Sequence, residues 1–527
     1  MNSMGKGIAG LMLAVAASAA SPSQASAETT LYYAPSSDLA SLDPIASTGS
    51  VPKIHALMIY DTLFAIDGKG IVQPQMVENY TLSEGGLTYR FTLREGLKWH
   101  DGVPVTPEDC IASLKRWGAA DTSGKLLFDF IKEFRVVDRS NFEFELNEPF
   151  GATIEVLGRS LSRIPFIFPE RVAMTDPGTP ITDYTGSGPF IFVEEEWVPG
   201  NKLVYRKNPD YVPRNEPASG WAGGKVVKVD RVVWNIQPDK QSAMTALLAG
   251  EIDIWEGVPS DLLPILEADP TVKFEDSTGW FAYLMVNHRH PPFDNVKARE
   301  ALAWLIDQTA YLQVMVGNPS LYFTCASMYD CKSASASDVN SEAIAGYDPE
   351  KARQLFEESG WDFSQPIVIL DPTDEPEIHA AMLLTTDRLR SIGLTVDHQA
   401  MDWATLTKRR AVTGPTSEGG WDIMMTFGAS TTFGDPFFHS RFGVDCEKPY
   451  LAGACDKELQ DLRLAWAKAG SHDERVGIAG DFQARAFSLH TPWYPLGQWA
   501  VPYAVSTKID GFIAGINYPV FWNIEKQ

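Results

Sequence analysis

The chain has 527 residues, with 44 basic and 68 acidic side chains giving a formal net charge of -24, and it is 44% hydrophobic and 21% charged. That balance excludes the basic footprint of a nucleic-acid binder and would be repelled by an anionic bilayer surface. With 27 Phe, 17 Tyr and 15 Trp it is no disordered chain, and its length predicts about two to four structural units.

At the start, Lys6 precedes an apolar, Ala-rich run over 7–20, and Ala25-Ser26-Ala27 is a small-x-small cleavage site. Residues 1–27 therefore read as a secretory signal peptide, with the mature chain beginning at Glu28. A membrane anchor would need about 20 apolar residues, more than this run supplies. The first cysteine is Cys110, so no lipid-acylation site lies near the cut. Later apolar runs such as 280–286 are strand-sized, and none is predicted to span a membrane.

Antiparallel β structure is expected to dominate residues 60–150. Leu87, Tyr89, Phe91 and Leu93 alternate with polar residues, as do Phe142, Phe144 and Leu146. Such alternation marks strands with one buried face. The stretch 136–146, broken at Asp138-Arg139-Ser140-Asn141, reads as a hairpin. Further on, Asp348 followed by Pro349 predicts a helix start, with Gly360 closing that helix. Residues 377–392 form a second helical pattern among strand-like runs at 367–370, 394–399 and 423–427. This alternation predicts an α/β unit with a mostly parallel sheet, whose ligands bind beyond the strands' carboxyl ends. Loops 371–377 and 428–436 lie there.

Export makes disulfides the favoured reading of the cysteines. Cys446 and Cys455 are nine apart around Pro449 and Gly453, and Cys325 and Cys331 are six apart. The alternative is metal ligation, but neither pair has a CxxC or a histidine at ligand spacing. Cys110 is left as a buried thiol on a helical pattern.

No catalytic arrangement emerges: there is no GxSxG, HExxH, P-loop or GxGxxG. Gly186-Ser187-Gly188 reads as a flexible crossing before a strand, and His100-Asp101-Gly102 as a turn. His288 and His290 would share one strand face, but two histidines without a third ligand make a poor metal site. Glu194 and Glu196 read as a solvated strand end. No cofactor, metal or catalytic residue is assigned.

Several long motifs do occur in order. Residues 85–102 read GGLTYRFTLREGLKWHDG, followed by Pro104, Val105 and Thr106, and residues 186–211 read GSGPFIFVEEEWVPGNKLVYRKNPDY. Gly250-Glu251-Ile252-Asp253-Ile254 follows, then Asn287 with Pro292-Phe293-Asp294-Asn295-Val296 and Arg299-Glu300-Ala301-Leu302, then 348–361 and 389–396. With these motifs the chain resembles the bacterial extracellular solute-binding protein family 5, the peptide/nickel-type receptors of ABC importers.

The resemblance implies a periplasmic-binding-protein-like α/β fold of two hinged lobes plus an extra β-rich domain. Lobe I would comprise 28–60, 187–279 and 492–527, the extra domain 61–186, and lobe II 280–491. Chain crossings are expected near 278–283 and 490–498. The implied function is a non-enzymatic, monomeric periplasmic receptor that delivers a small organic solute to membrane permease subunits. Nucleic acid is not a partner, and the protein is not embedded in the membrane. A peptide or peptide-like amine is the first expectation for the solute; an opine, oligosaccharide or metal chelate is the alternative. In a nickel-type or haem receptor, His288, His290, His379 or Met401 would matter. An unrecognised periplasmic hydrolase is the remaining reading.

In the dipeptide-binding members that this chain resembles, an aspartate before the Gly-Asp-Pro segment holds the peptide ammonium. Here Thr432 stands there, within Ser430-Thr431-Thr432 ahead of Gly434-Asp435-Pro436. An arginine before the 377–392 helix holds the carboxylate in those members, whereas this loop carries Asp371 and Asp374 and no arginine. A buried zwitterion needs both charges paired, so an unmodified dipeptide fits these two loops poorly. The acids suit an amine-bearing ligand, or serve only as turn and cap residues, while Ser430, Thr431 and Thr432 suit hydroxyls. Trp280, Tyr283, Trp403, Phe427 and Trp499 fall at predicted hinge or strand-end positions, where aromatics line pockets or fill core.

Overall fold

The computed structural model describes residue 1 and residues 28–158, 163–237, 239–276, 279–514 and 518–527. The expected signal peptide lies outside the described residues apart from Met1.

Three sheets organise the chain. The first has seven strands in the order Phe190–Phe192, Lys202–Lys207, Arg231–Asn235, Thr30–Ala34, Ile254–Trp255, Tyr503–Ser506 and Val272–Glu275. Thr30–Ala34 runs parallel to both of its neighbours, and the other pairings are antiparallel. Tyr33, Tyr205, Trp234 and Phe521 pack edge-on or tilted beneath it. The sheet therefore gathers the start, the middle and the end of the chain into one lobe.

The second sheet has six strands in the order Tyr322–Phe323, Tyr494–Trp499, Trp280–Val286, Ile423–Ala429, Ile367–Pro372 and Val396–Met401. The expected helix–strand alternation is present. Asp348 accepts from the Lys351 N–H at 3.0 Å to start helix Pro349–Glu358. Helix Pro376–Ser391 buries Ile378, Ala381, Met382 and Leu389. The sheet is mixed rather than mostly parallel. Its three strands linked by helices are parallel, but Trp280–Val286, Tyr494–Trp499 and Tyr322–Phe323 join antiparallel. These last strands arrive from outside the helical repeat, so no crossover helix forces one direction on them.

Strand Tyr494–Trp499 corrects the expected boundary at 492. It pairs with Trp280–Val286 in the second sheet, and only Tyr503–Ser506 rejoins the first. The return crossing is therefore at 500–502, while the outward crossing lies between Glu275 and Trp280.

The third sheet is four antiparallel strands, Val77–Leu82, Thr88–Leu93, Asn141–Leu146 and Ile131–Val136, and it includes the expected hairpin. Tyr89, Phe91, Phe142 and Phe144 fill its buried face, each full burial contributing roughly 1.5–3 kcal/mol. The segment is less purely β than its alternation suggests, since helices Pro107–Ala120 and Thr122–Phe130 cover the sheet. A reciprocal cap starts the first helix: Asp109 N–H donates to Thr106 Oγ1 at 3.3 Å and Thr106 N–H to Asp109 Oδ2 at 2.8 Å. The motif before it builds a turn. Trp99 N–H donates to Val103 C=O, and Gly102, at a φ of +85°, donates to Trp99 C=O.

Gly186-Ser187-Gly188 is a packed joint rather than a flexible crossing. Gly188 N–H donates to Ile59 C=O at 2.9 Å, and a Cβ on Gly186 would sit 1.7 Å from the same oxygen.

Candidate functional site

The crossings bring aromatic residues together at one end of the second sheet. Trp280 is in register with Trp499 on one side and Ala429 on the other, and Ala282 is in register with Phe427. Cross-strand partners share a face, so Trp280, Phe427 and Trp499 stand on the same one. Their rings meet edge to face, Trp280–Phe427 at 5.3 Å and Phe427–Trp499 at 5.2 Å. Trp280 and Phe427 are half-buried and Trp499 is 5% exposed. The stripe thus keeps apolar surface open beside the two crossings, where lobes that hinge would hold a ligand.

Tyr283 does not join this stripe. Three residues further along the strand, it points to the other face and packs on Phe433 and Trp493, with 1% of its surface exposed. Burial there holds its phenol protonated by raising its pKa.

The loop after strand Ile423–Ala429 is tied to the crossing. Ser430 N–H donates to the carbonyl of Gly279 at 3.1 Å, and a Cβ on Gly279 would lie 2.4 Å from the Trp499 carbonyl. The Ser430 hydroxyl is buried and makes no hydrogen bond among the described residues. Thr432 donates to the Ala429 carbonyl at 2.7 Å, leaving its lone pairs available, and Thr431 is half-buried beside it. Asp435 accepts from Phe437 and Phe438 N–H at 2.9 Å each and so shapes the turn.

The acids of loop 371–377 are engaged by the protein itself. Asp371 is fully buried, and its Oδ2 lies 2.7 Å from His379 Nδ1 and 2.8 Å from His398 Nε2. Asp374 is exposed and accepts from the Trp403 N–H at 2.7 Å, tying this loop to the helix that follows Val396–Met401. Trp403 is therefore placed near the strand ends, whereas the buried Asp371 serves a pair of half-buried histidines. Burial and the neighbouring Asp374 and Glu377 carboxylates raise the Glu375 carboxyl.

Asp330 was not among the expected site residues. It is 5% exposed, and its N–H donates to the Phe433 carbonyl at 3.0 Å, beside the Ser430 turn. Its Oδ1 accepts from Lys332 N–H at 3.1 Å and from the Gln498 amide at 3.2 Å, while that amide's oxygen accepts from Cys331 N–H. Asp330 forms no ion pair among the described residues, and burial raises its carboxyl. The only sequence signal was its place beside Cys331 in a short disulfide loop.

Both cysteine pairs are bonded, Cys325 to Cys331 and Cys446 to Cys455, and Cys110 is a buried free thiol pushed up by burial. The strand of His288 and His290 ends at Val286, so neither lies on it. His288 is held neutral by burial and by Arg299 and Arg289, and His290 Nε2 lies 2.9 Å from the Thr413 carbonyl. Among the described residues no group of three or more His, Cys, Asp or Glu is arranged to hold a metal ion. No helix among them is long and apolar enough to cross a membrane. Glu196 is paired rather than merely solvated, 2.7 Å from Arg231.

Two lobes joined by paired crossings, with a β-rich insertion, agree with what comparison finds. The sequence profile of the bacterial extracellular solute-binding proteins, family 5 Middle, matches residues 72–446. The chain belongs to this family. It is 38% identical over 494 residues, 93% of its own length and 92% of the relative's, to a probable peptide ABC transporter periplasmic-binding protein, y4tO, of Sinorhizobium fredii (strain NBRC 101917 / NGR234). It is 25% identical over 512 residues to the glutathione-binding protein GsiB of Escherichia coli (strain K12), covering 95% of each chain. A solved structure of the PBP AgaA of A. tumefaciens R10 in complex with agropinic acid has the same fold, with a TM-score of 0.73 at 23% identity over 94% of this chain and 99% of that one. This solute-binding protein thus belongs with extracellular or periplasmic transport proteins, not with enzymes.

Proposed function

We propose that this family 5 solute-binding protein is a periplasmic receptor that captures a peptide or peptide-like amine and hands it unchanged to the permease of an ABC importer. It is exported by residues 1–27, carries no lipid anchor, acts as a monomer and performs no catalysis on its cargo. The lobes close by a hinge at the two crossings. Trp280, Phe427 and Trp499 supply the apolar wall, Ser430, Thr431 and Thr432 the hydroxyls, and Trp403, held by Asp374, the facing edge.

The observation that carries the reading is Asp330. A carboxylate that is 5% exposed, with no ion pair among the described residues and only the more distant Lys332 ammonium acting on it, is costly to keep charged, and an incoming ammonium group would offset that cost. It lies beside the Ser430 turn, which is itself tied to the crossing at Gly279. The likeness over nine-tenths of the chain to a probable peptide transporter's binding protein supports the same class of solute.

The test is a thermal-shift and calorimetric screen of the exported protein against peptides, amines, opines, oligosaccharides and metal chelates. The reading expects peptides or amines to bind, and D330N to weaken them about tenfold or more. Binding confined to amine-free sugars, or no binding in any class, would overturn it.

A further inference from the structure

The inserted domain is joined to the first lobe by groups that cannot part cheaply. Arg116 pairs with Asp43 at 2.7 Å and Lys225 with Asp61 at 2.8 Å, with all four side chains buried. Arg163 Nε donates to the Ile45 carbonyl at 2.7 Å. Breaking a buried ion pair leaves uncompensated charge in a dry place, so these two units move as one body.

The same domain meets the second lobe through segment 148–155, where the chemistry is different. Ala152, at the start of helix Thr153–Gly158, donates its N–H to the carbonyl of Ala467 at 3.0 Å, in the last turn of helix Lys457–Lys468. Groups at helix ends have no intrahelical partner, and water can serve both once they separate. Glu155 and Arg475 are partly exposed, and Lys468 and Glu148, 2.9 Å apart, lie at the rim. Phe150 meets Phe437 at 6.0 Å, but each ring also has a neighbour in its own unit, Phe130 at 4.6 Å and Trp466 at 6.0 Å. Gly151 serves this contact rather than its own domain. A Cβ there would lie 2.1 Å from the Ala469 carbonyl oxygen, and the three atoms nearest to it beyond its chain neighbours belong to Ala469 and Lys468.

The turn at the candidate site leads into the same contact. Ser430–Phe433 is followed by Gly434-Asp435-Pro436 and then by Phe437. Arg463 of helix Lys457–Lys468 donates to the Pro436 and Phe437 carbonyls at 2.9 and 3.0 Å. Turn, ring and helix are one piece of the second lobe. A rotation of that lobe about the crossings carries all three relative to the insertion.

We infer that segment 148–155 is a clasp: it holds the second lobe against the insertion while the cleft is closed and parts when the cleft opens. The extra domain thereby sets how readily the protein opens. The inference rests on the reading of this protein as a receptor with hinged lobes and deepens it by giving the insertion a part in closure.

The test needs no solute. Amide exchange at single-residue resolution and the radius of gyration in solution scattering are measured on the exported protein, for wild type, G151A and E155Q. In the wild type the Ala152 amide is expected to exchange through a local opening that low urea does not accelerate. Gly188, whose N–H is held by the Ile59 carbonyl, should exchange only with global unfolding. G151A wedges the clasp, and should speed Ala152 exchange about tenfold or more and enlarge the radius of gyration, with Gly188 exchange unchanged. E155Q leaves the backbone as it is and should shift Ala152 exchange in the same direction by a smaller factor; it carries the test should G151A fail to fold. Ala152 exchange that follows global unfolding in the wild type, or wild-type exchange and dimensions in the variants, would overturn the inference. Solute binding in the broader screen would survive that result, and an opening clasp would survive an empty screen, so the two failures are distinguishable.

Discussion

Arg475 of the second lobe pairs with Glu155 of the inserted domain, and both side chains are largely shielded, 11% and 20% exposed. Arg475 also donates to the Ala469 carbonyl at 3.1 Å and to the Gly151 carbonyl at 3.4 Å. Ala152 N–H donates to the Ala467 carbonyl at 3.0 Å, and Phe150 packs on Phe437. The insertion is thereby fastened to the lobe from which the chain order separates it. R475M strands a shielded carboxylate and two carbonyls, and should cost about 2–3 kcal/mol in urea unfolding. The neighbouring Lys468–Glu148 pair is 45% and 55% exposed. K468M should stay within about 0.5 kcal/mol of wild type.

Asp422 gives a pH signature. It is 2% exposed, its Oδ1 has no partner among the described residues, and burial raises its carboxyl to about 7, against a Val368 N–H that favours the charged form. The unfolded chain releases this proton near the ordinary carboxyl value of about 4. Between those values the folded state holds more proton than the unfolded one. Stability contributed at this site is therefore full at low pH and lost as pH rises through about 7. The wild-type unfolding free energy should fall relative to that of D422N as pH is raised across that window, as followed by urea titrations at several pH values. Parallel pH profiles for the two proteins would contradict the assignment.

The aromatic stripe should matter for affinity more than for folding. W280A removes a half-buried ring from the open end of the second sheet and should weaken the solute about 10–100-fold in calorimetry. Its circular dichroism should remain that of wild type.

The cysteines can be counted chemically. The native protein should give no thiol reaction, because Cys110 is buried and its thiol is held protonated, and one thiol after denaturation. Replacing Cys446 and Cys455 by serine should cost about 2–3 kcal/mol for a loop of that length.

The alternating Tyr89–Leu93 and Phe142–Leu146 runs and the Asp348 cap were legible because period and capping are local. So were the two disulfides, each closed over a loop of a few residues. The stripe of Trp280, Phe427 and Trp499 was legible as separate strand-end aromatics, while its single face depended on register between strands far apart in the chain. Tyr283 and Asp371 show the limit. Each lies within a few residues of the site in sequence, yet strand alternation turns Tyr283 into the core, and His379 and His398 take up Asp371. The boundary at 492 failed because Tyr494–Trp499 completes the second sheet before the chain leaves it. Asp330 was invisible for a different reason. What distinguishes it is burial without an ion pair among the described residues, and no spacing rule records that in three dimensions.

The most direct measurement is native mass spectrometry of the exported protein incubated with a mixture of peptides and amines, followed by denaturation and analysis of what is released. The account predicts one solute per chain, a peptide or other amine, recovered with its mass unchanged. Cleaved products, or no adduct from any member of the mixture, would contradict it.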